Sequence, residues 1–154
     1  MVRTSSVAAR RKAPVRKKRA SAVPPKRVAE GFSPLVLIVD DAQVTRDLYA
    51  EYLLYSGLRV ALAVDGDHGL WKVLMLSPDL VVMDLAMPGI DGWEATRQLK
   101  AHPRTKHIPV IALTGHVSEE NLRRARDVGA DLVLTKPCTP DELLSQIRKL
   151  LSRR

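Results

Sequence analysis

From residue 35 onward, apolar residues form two alternating patterns. Short apolar runs end at polar or turn-forming residues, which is typical of strands buried on both faces of a sheet. Between them, longer segments carry apolar residues three and four positions apart, as amphipathic helices do. The strand-like runs are 35–39, 60–64, 80–83, 108–113 and 132–134. The pattern predicts five strands that alternate with five helices.

The first and last predicted helices have the clearest sequence signals. In the first, Val44, Leu48, Tyr52 and Tyr55 recur at helical spacing, and Gly57 ends the helix. The last begins at residues 139–142, Thr-Pro-Asp-Glu, where threonine is a good N-cap and proline suits the first helical position.

Strands that alternate with helices pair in parallel through right-handed crossovers. Half of a dinucleotide-binding fold would require a glycine-rich loop after the first strand, but the residues there are Asp-Asp-Ala-Gln-Val. We therefore predict an α/β fold of the flavodoxin-like (βα)5 type, a doubly wound parallel sheet with strand order 2-1-3-4-5.

Charge divides the chain into two regions. Residues 1–34 contain ten Lys or Arg and one Glu, so they carry +9, and residues 35–154 carry 8 − 9 = −1. Prolines and self-repelling charge predict disorder in residues 1–34, as a solvated leader, an organellar transit peptide or an arm for nucleic acid or another acidic partner. A single cysteine and the lack of a long apolar run favour a cytoplasmic protein without a membrane anchor.

Polar residues follow four of the predicted strands. Asp40 and Asp41 follow the first strand and Asp84 the third, whereas Thr114 and Lys136 follow the fourth and fifth. The carboxyl ends of parallel strands meet at one edge of a sheet, so these side chains should converge. In the order 2-1-3-4-5 the first and third strands are neighbours, which would bring Asp40 and Asp41 beside Asp84.

Three carboxylates in one place repel one another. At ~4 Å and an effective dielectric near 20, each pair costs on the order of 4 kcal/mol. Oxygen ligands select a hard cation, and few carboxylates with room for water favour Mg²⁺ over Ca²⁺. A carboxylate nucleophile such as Asp84 can form an aspartyl phosphate, with Lys136 and Thr114 available to its oxygens. Taken singly, each residue also has an ordinary role, such as helix capping for Asp41.

Four motifs together closely resemble the receiver domain of two-component response regulators. They are Val39-Asp40-Asp41, the segment from Met83 to Gly92, Ala112-Leu113-Thr114, and Gly129-Ala130-Asp131 leading into Thr135-Lys136-Pro137. The resemblance covers residues 35–152, which we interpret as a CheY-like receiver domain after a disordered basic tail at residues 1–34. It implies a signalling phosphoacceptor with self-catalysed phosphotransfer and dephosphorylation, and not an enzyme acting on a separate substrate.

The resemblance also implies the roles of the site residues. Asp84 would accept a phosphoryl group from a phosphohistidine on a sensor histidine kinase or a histidine phosphotransfer protein. Asp41, Asp84 and the backbone carbonyl of Ala86 would bind Mg²⁺ directly, and Asp40 through water. Thr114 and Lys136 would hold phosphoryl oxygens, and the Lys136–Pro137 peptide bond would be cis.

Three positions would tune such a site. Val133 stands three residues before Lys136, where the family usually has an aromatic residue that rearranges on phosphorylation. Ala86 and His116 stand two residues after Asp84 and Thr114, at positions that tune hydrolysis in the family. Because Ala86 has no polar side chain to orient water, we expect slow loss of the phosphoryl group.

The resemblance leaves two interpretations of the whole chain. In the first, the chain is a stand-alone receiver whose output is a contact with an unidentified downstream protein, through the last helix and the neighbouring fourth helix and fifth strand. In the second, it is a nucleic-acid-associated protein whose basic arm binds, and whose receiver regulates that binding or is vestigial.

Overall fold

The structure, a computed structural model, describes residues 31–154, so residues 1–30 of the segment predicted to be disordered, residues 1–34, lie outside the described part. The strands are β1 (Leu35–Val39), β2 (Arg59–Ala63), β3 (Leu80–Asp84), β4 (Val110–Thr114) and β5 (Leu132–Thr135). The helices are α1 (Gln43–Tyr55), α2 (Gly66–Leu76), α3 (Gly92–Ala101), α4 (Glu119–Asp127) and α5 (Pro140–Leu151). No helix within residues 31–154 is long and apolar enough to cross a membrane.

The five strands form one parallel sheet in the order β2-β1-β3-β4-β5, which confirms the predicted flavodoxin-like topology. The register aligns Val39 with Met83, so Asp40 and Asp84, which follow these two residues, lie side by side. Thr114 is likewise aligned with Thr135, next to Lys136. The alignment brings the carboxyl ends of four strands to one edge, where the candidate site lies.

The sheet is covered on both faces, and every residue of β3 and β4 is buried. The two faces of β1 pack against different pairs of helices. Val36 and Ile38 belong to a core cluster shared with α1 and α5, whereas Leu37 and Val39 belong to a cluster shared with α2 and α3. Each such side chain stabilises the fold by about 1.5–3 kcal/mol through burial. The interior strands read as continuous apolar runs for this reason.

The apolar residues whose spacing predicted α1 are not the residues that the helix buries. Its buried residues are Tyr49, Ala50 and Leu53, while Val44 is 82% and Tyr55 79% exposed. The helix carries two overlapping apolar stripes, and spacing alone gives the period of a stripe without saying which one packs. Packing against α5 decides the matter, because Tyr49 and Leu53 share a core cluster with Leu143 and Ile147. The Tyr49 hydroxyl also donates a buried hydrogen bond of 2.7 Å to the Cys138 carbonyl, just before α5.

The start of α5 is fixed by the predicted N-cap, which is confirmed. The Glu142 amide donates to the Thr139 hydroxyl at 3.2 Å, and the Thr139 amide donates back to the Glu142 carboxylate at 3.0 Å. This reciprocal capping box supplies partners for two backbone donors. It begins three residues after Lys136 and so anchors the segment that carries this lysine.

Replacing Tyr49 with phenylalanine should lower the free energy of unfolding by about 1 kcal/mol near neutral pH, because the Cys138 carbonyl loses its partner. Burial raises the pKa of Tyr49 to about 12. The unfolded chain therefore releases this proton near pH 10 and the folded protein does not, so wild-type stability should fall as the pH rises from about 10 towards 12.

The Tyr49→Phe variant lacks that ionisation, so its deficit should shrink across the same pH interval in urea unfolding curves. Tyr55→Phe, at a tyrosine that is 79% exposed, is the matched control and should be close to neutral near pH 7. A deficit that stays constant with pH would contradict the assignment.

Candidate functional site

Three carboxylates meet at the carboxyl edge of the sheet, as predicted. Asp84 is the last residue of β3 and Asp40 directly follows β1, and both side chains are buried. Asp41 is exposed. One carboxylate oxygen from each of the three lies within 4.8 Å of the others. Two of the three charges are thus withdrawn from water, a costly arrangement without a counter-charge.

Lys136, which directly follows β5, supplies part of that counter-charge. Its Nζ atom lies 3.1 Å from Asp40 Oδ2 and 3.4 Å from Asp84 Oδ1. Its backbone amide donates a 2.7 Å hydrogen bond to the Thr114 carbonyl, which ties the end of β5 to the end of β4. The peptide bond between Lys136 and Pro137 is cis.

Backbone amides hold the two buried carboxylates in place, and a guanidinium holds the backbone of Asp40. The amide of Ala42 donates to Asp40 Oδ1 at 2.8 Å, and that of Ala86 donates to Asp84 Oδ1 at 3.1 Å. Arg46 donates a 2.7 Å hydrogen bond to the Asp40 carbonyl and so fastens the loop between β1 and α1. The sequence analysis missed Arg46, although a cation one turn into the helix after an acidic pair was the available signal.

The surroundings of the site shift the pKa values of Asp84 and Lys136. Burial raises the pKa of the Asp84 carboxyl above its ordinary value, although the Ala86 amide and Lys136 act in the opposite direction. Burial also disfavours the charged form of Lys136, but Asp84 and Asp40 outweigh it and raise the pKa of the ammonium. Lys136 therefore stays positive at neutral pH, and it faces a carboxylate whose charge is poorly solvated.

Thr114 ends β4 at the same edge, but its hydroxyl is engaged within its own loop. The hydroxyl donates to the His116 carbonyl at 3.0 Å and accepts from the His116 amide at 3.2 Å. Within the described residues, no hydrogen bond joins this hydroxyl to Asp84. His116 and Ala86 are both exposed and lie in the loops that follow β4 and β3.

Val133 lies in β5 beside a small apolar cluster. That cluster contains Leu85, Trp93, Ala112 and Ala125, with Val133 packed against it. Trp93 is buried at the start of α3, and the Arg124 guanidinium of α4 lies 4.6 Å from its ring centroid, a cation–π distance. Val133 thus packs against a cluster that contains both Leu85, the residue after Asp84, and Ala125 of α4.

Asp41 and Lys136 do not have the ordinary roles of a helix cap and an exposed charge. The N-cap of α1 is Ala42, without a side-chain cap, so Asp41 does not cap the helix. Lys136 is not simply an exposed charge, because its side chain is 28% exposed and contacts two carboxylates. The cluster is an all-oxygen donor set of the type that could hold a hard divalent ion.

The sequence matches the response regulator receiver domain family over residues 36–148. The chain belongs to this family. Among curated proteins, the receiver chain is 38% identical over 120 residues to the DNA-binding dual master transcriptional regulator RpaA of Synechocystis, covering 78% of this chain and 50% of that protein. It is 35% identical over 118 residues to the phosphate regulon transcriptional regulatory protein PhoB of Pseudomonas aeruginosa, covering 77% and 52%.

Solved structures agree with this assignment. The chemotaxis protein CheY4 of Vibrio cholerae superposes with a TM-score of 0.73 at 30% identity, covering 76% of this chain and 98% of that one. A response regulator from Chloroflexus aurantiacus gives a TM-score of 0.73 at 29% identity, covering 78% and 98%. The receiver domain thus accounts for whole chains among the solved structures, whereas this chain spans about half the length of the curated relatives it matches.

Proposed function

We propose that the chain is a phosphoacceptor of two-component signalling, with Asp84 as the acceptor. The observation that carries the proposal is the placement of Asp84, which is buried at the end of a central strand with Lys136 3.4 Å away and two further carboxylates beside it. The phosphoryl donor would be a phosphohistidine on a sensor histidine kinase or a histidine phosphotransfer protein, in keeping with membership of the receiver family.

In the proposed reaction, an Asp84 carboxylate oxygen attacks the phosphorus of the phosphohistidine. The new O–P bond forms while the P–N bond breaks, and the histidine nitrogen keeps the electron pair and takes a proton from solvent. Lys136 would stabilise the negative charge on the transferring oxygens, and the hydroxyl of Thr114 would serve as a second donor after turning away from His116.

The carboxylates fit a magnesium ion by the chemistry of their donor set. Asp41 and Asp84 would bind it directly, the backbone carbonyl of Ala86 would be a third protein ligand, and Asp40 would bind through water. Bound there, Mg²⁺ would offset the mutual repulsion of the carboxylates and neutralise charge on the phosphoryl oxygens. Arg46 would keep the acidic loop in position through its hydrogen bond to the Asp40 carbonyl.

Replacing Asp41 with asparagine should weaken Mg²⁺ binding at least tenfold, because the site loses a charged ligand that is exposed to the entering ion. Calorimetric titration of Mg²⁺ into the full chain measures this directly. Asp47→Asn is the matched control, since it removes the same charge from an exposed position on α1 outside the cluster. Equal affinity in the Asp41→Asn variant and the control would remove Asp41 from the site.

The output of the receiver would be a protein–protein contact made through α4, β5 and α5. The packing of Val133 and Trp93 beneath α4 supports a route from Asp84 to this surface that does not require an aromatic residue at position 133. RpaA and PhoB are transcriptional regulators by description, and this chain covers about half of each. The kinase and the downstream partner are therefore proposed only as classes.

The phosphorylated protein should lose its phosphoryl group over minutes rather than seconds. Ala86 is exposed beside Asp84 and offers no side-chain group to orient an attacking water. Decay after a pulse of small phosphodonor, followed by mass spectrometry, measures the lifetime. Ala86→Gln should shorten it several-fold by supplying a carboxamide, whereas Ala101→Gln, at an exposed position of α3, should not. A wild-type lifetime of seconds would contradict the expectation.

A further inference from the structure

The edge of the sheet opposite Asp84 carries a concentration of positive charge. Two segments form it, residues 100–109 between α3 and β4 and residues 148–154 at the end of α5. The first contributes three Lys or Arg and the second four, and neither contains Asp or Glu. We refer to these two segments as the basic edge.

Contacts around Asp79, the residue before β3, bring the basic edge together with the start of the described fold. The Leu35 amide donates to Asp79 Oδ2 at 2.8 Å, and Arg154 lies 3.4 Å from Asp79 Oδ1. The Val81 amide donates to the Pro109 carbonyl at 2.9 Å. The chain before residue 35, residues 100–109 and residues 148–154 therefore meet at one place.

Most of the cations of the basic edge lack an acidic partner. Lys100 pairs with Asp131 at 2.7 Å, and Arg154 pairs with Asp79. The other five make no ion pair within residues 31–154. Lys100 and the cations in the last turn of α5 suit the helix dipole, but Arg104, Lys106 and Arg153 lie beyond any helix end, so the dipole does not explain them.

The sequence before β1 is also rich in positive charge. Residues 1–34 carry ten Lys or Arg and one Glu. Together with the seven of the basic edge, these parts of the sequence hold 17 of the 25 Lys and Arg of the chain. The carboxylate cluster lies at the other end of β3, a strand of five residues, about 16 Å away. The two ends of the domain have opposite charge.

We propose that the basic edge binds the phosphate backbone of double-stranded nucleic acid. A duplex presents one negative charge per roughly 1.7 Å of axis, so it attracts several unpaired cations on one edge of a domain at once. Neither segment of the basic edge contains Phe, Tyr or Trp to stack on bases, so binding is independent of sequence. Neither exposes a large apolar side chain that would enter a bilayer, since Ile108 is buried.

The test uses the full chain and a short DNA duplex without a defined site, with affinity measured by fluorescence anisotropy at several salt concentrations. The variant is Arg104→Gln with Lys106→Gln, in an exposed loop where neither side chain makes an ion pair. The matched control, Arg123→Gln with Arg126→Gln, removes two charges from exposed positions of α4 where neither side chain makes an ion pair.

The wild type should bind with an affinity that falls steeply with salt. The loop variant should weaken binding several-fold and reduce the slope of log affinity against log salt by about 2, at ~0.9 per phosphate contact. The control should leave both unchanged. The proposal is overturned if the full chain does not bind the duplex or if the loop variant matches the control. Tighter binding to acidic lipid vesicles than to the duplex at equal salt would overturn it as well.

Discussion

Wild-type protein incubated with acetyl phosphate and Mg²⁺ should gain the mass of one phosphoryl group, and the Asp84→Asn variant should gain none. The amide of asparagine is not a nucleophile towards phosphorus, and Asp84 is the buried carboxylate that ends β3. The loss should be on the order of 10³-fold or more in rate, in line with removal of a covalent nucleophile. Intact-protein mass spectrometry over time measures it.

Two controls make this result specific to the carboxylate. Asp47→Asn removes the same charge from an exposed site on α1 and should leave uptake unchanged. Circular dichroism of Asp84→Asn should match that of the wild type, because asparagine keeps the shape of the side chain and can still accept from the Ala86 amide. Uptake by the folded variant at the wild-type rate would assign the acceptor to another residue.

Gly92→Ala should lower the free energy of unfolding by about 3 kcal/mol. A Cβ at this first residue of α3 would lie 2.0 Å from the Asp84 carbonyl oxygen and 2.7 Å from Leu85 Cα, so backbone would have to move. Alanine favours a helix over glycine by roughly 1 kcal/mol, a gain smaller than the clash. Urea unfolding measures the difference, and phosphoryl uptake should fall as well because the loop after Asp84 is displaced.

Gly115→Ala is the matched control for Gly92→Ala. A Cβ at Gly115 would meet no atom within 4 Å, so its effect on stability should stay within about 0.5 kcal/mol. Unfolding midpoints that agree for the two variants would mean that the start of α3 does not restrain the acceptor strand. Gly92 would then have no part in placing Asp84.

Much of the fold followed from the sequence because the interior strands are buried on both faces. Such strands must be apolar throughout, so β3 and β4 appear in the sequence as unbroken runs that end at Asp84 and Thr114. The N-cap at Thr139 was equally visible, since capping depends on residues close in sequence. The family resemblance rested on the same strand ends, and the matched residues 36–148 agree with it.

The sequence left the partners of several side chains undetermined. Spacing predicted α1 but not which of its two apolar stripes packs, and α5 selects the stripe with Tyr49 and Leu53. The Thr114 hydroxyl has partners at His116 in its own loop, and its contact with phosphoryl oxygens stays a prediction. Arg46 was overlooked because its partner is the backbone carbonyl of Asp40, and its place one turn into the helix after an acidic pair was the available signal.

The sequence by itself determined the parallel (βα)5 sheet, the edge where the acidic residues gather and the uneven distribution of charge, because each depends on local periodicity and composition. The sequence also predicted that Lys136 converges with the acids, but tertiary structure decided that its ammonium lies between Asp40 and Asp84, across 96 and 52 positions of sequence. It also decided that the start of β1, residues 100–109 and residues 148–154 meet around Asp79. Such contacts follow from the register of neighbouring strands, which is set by packing of the whole sheet and not by any single segment.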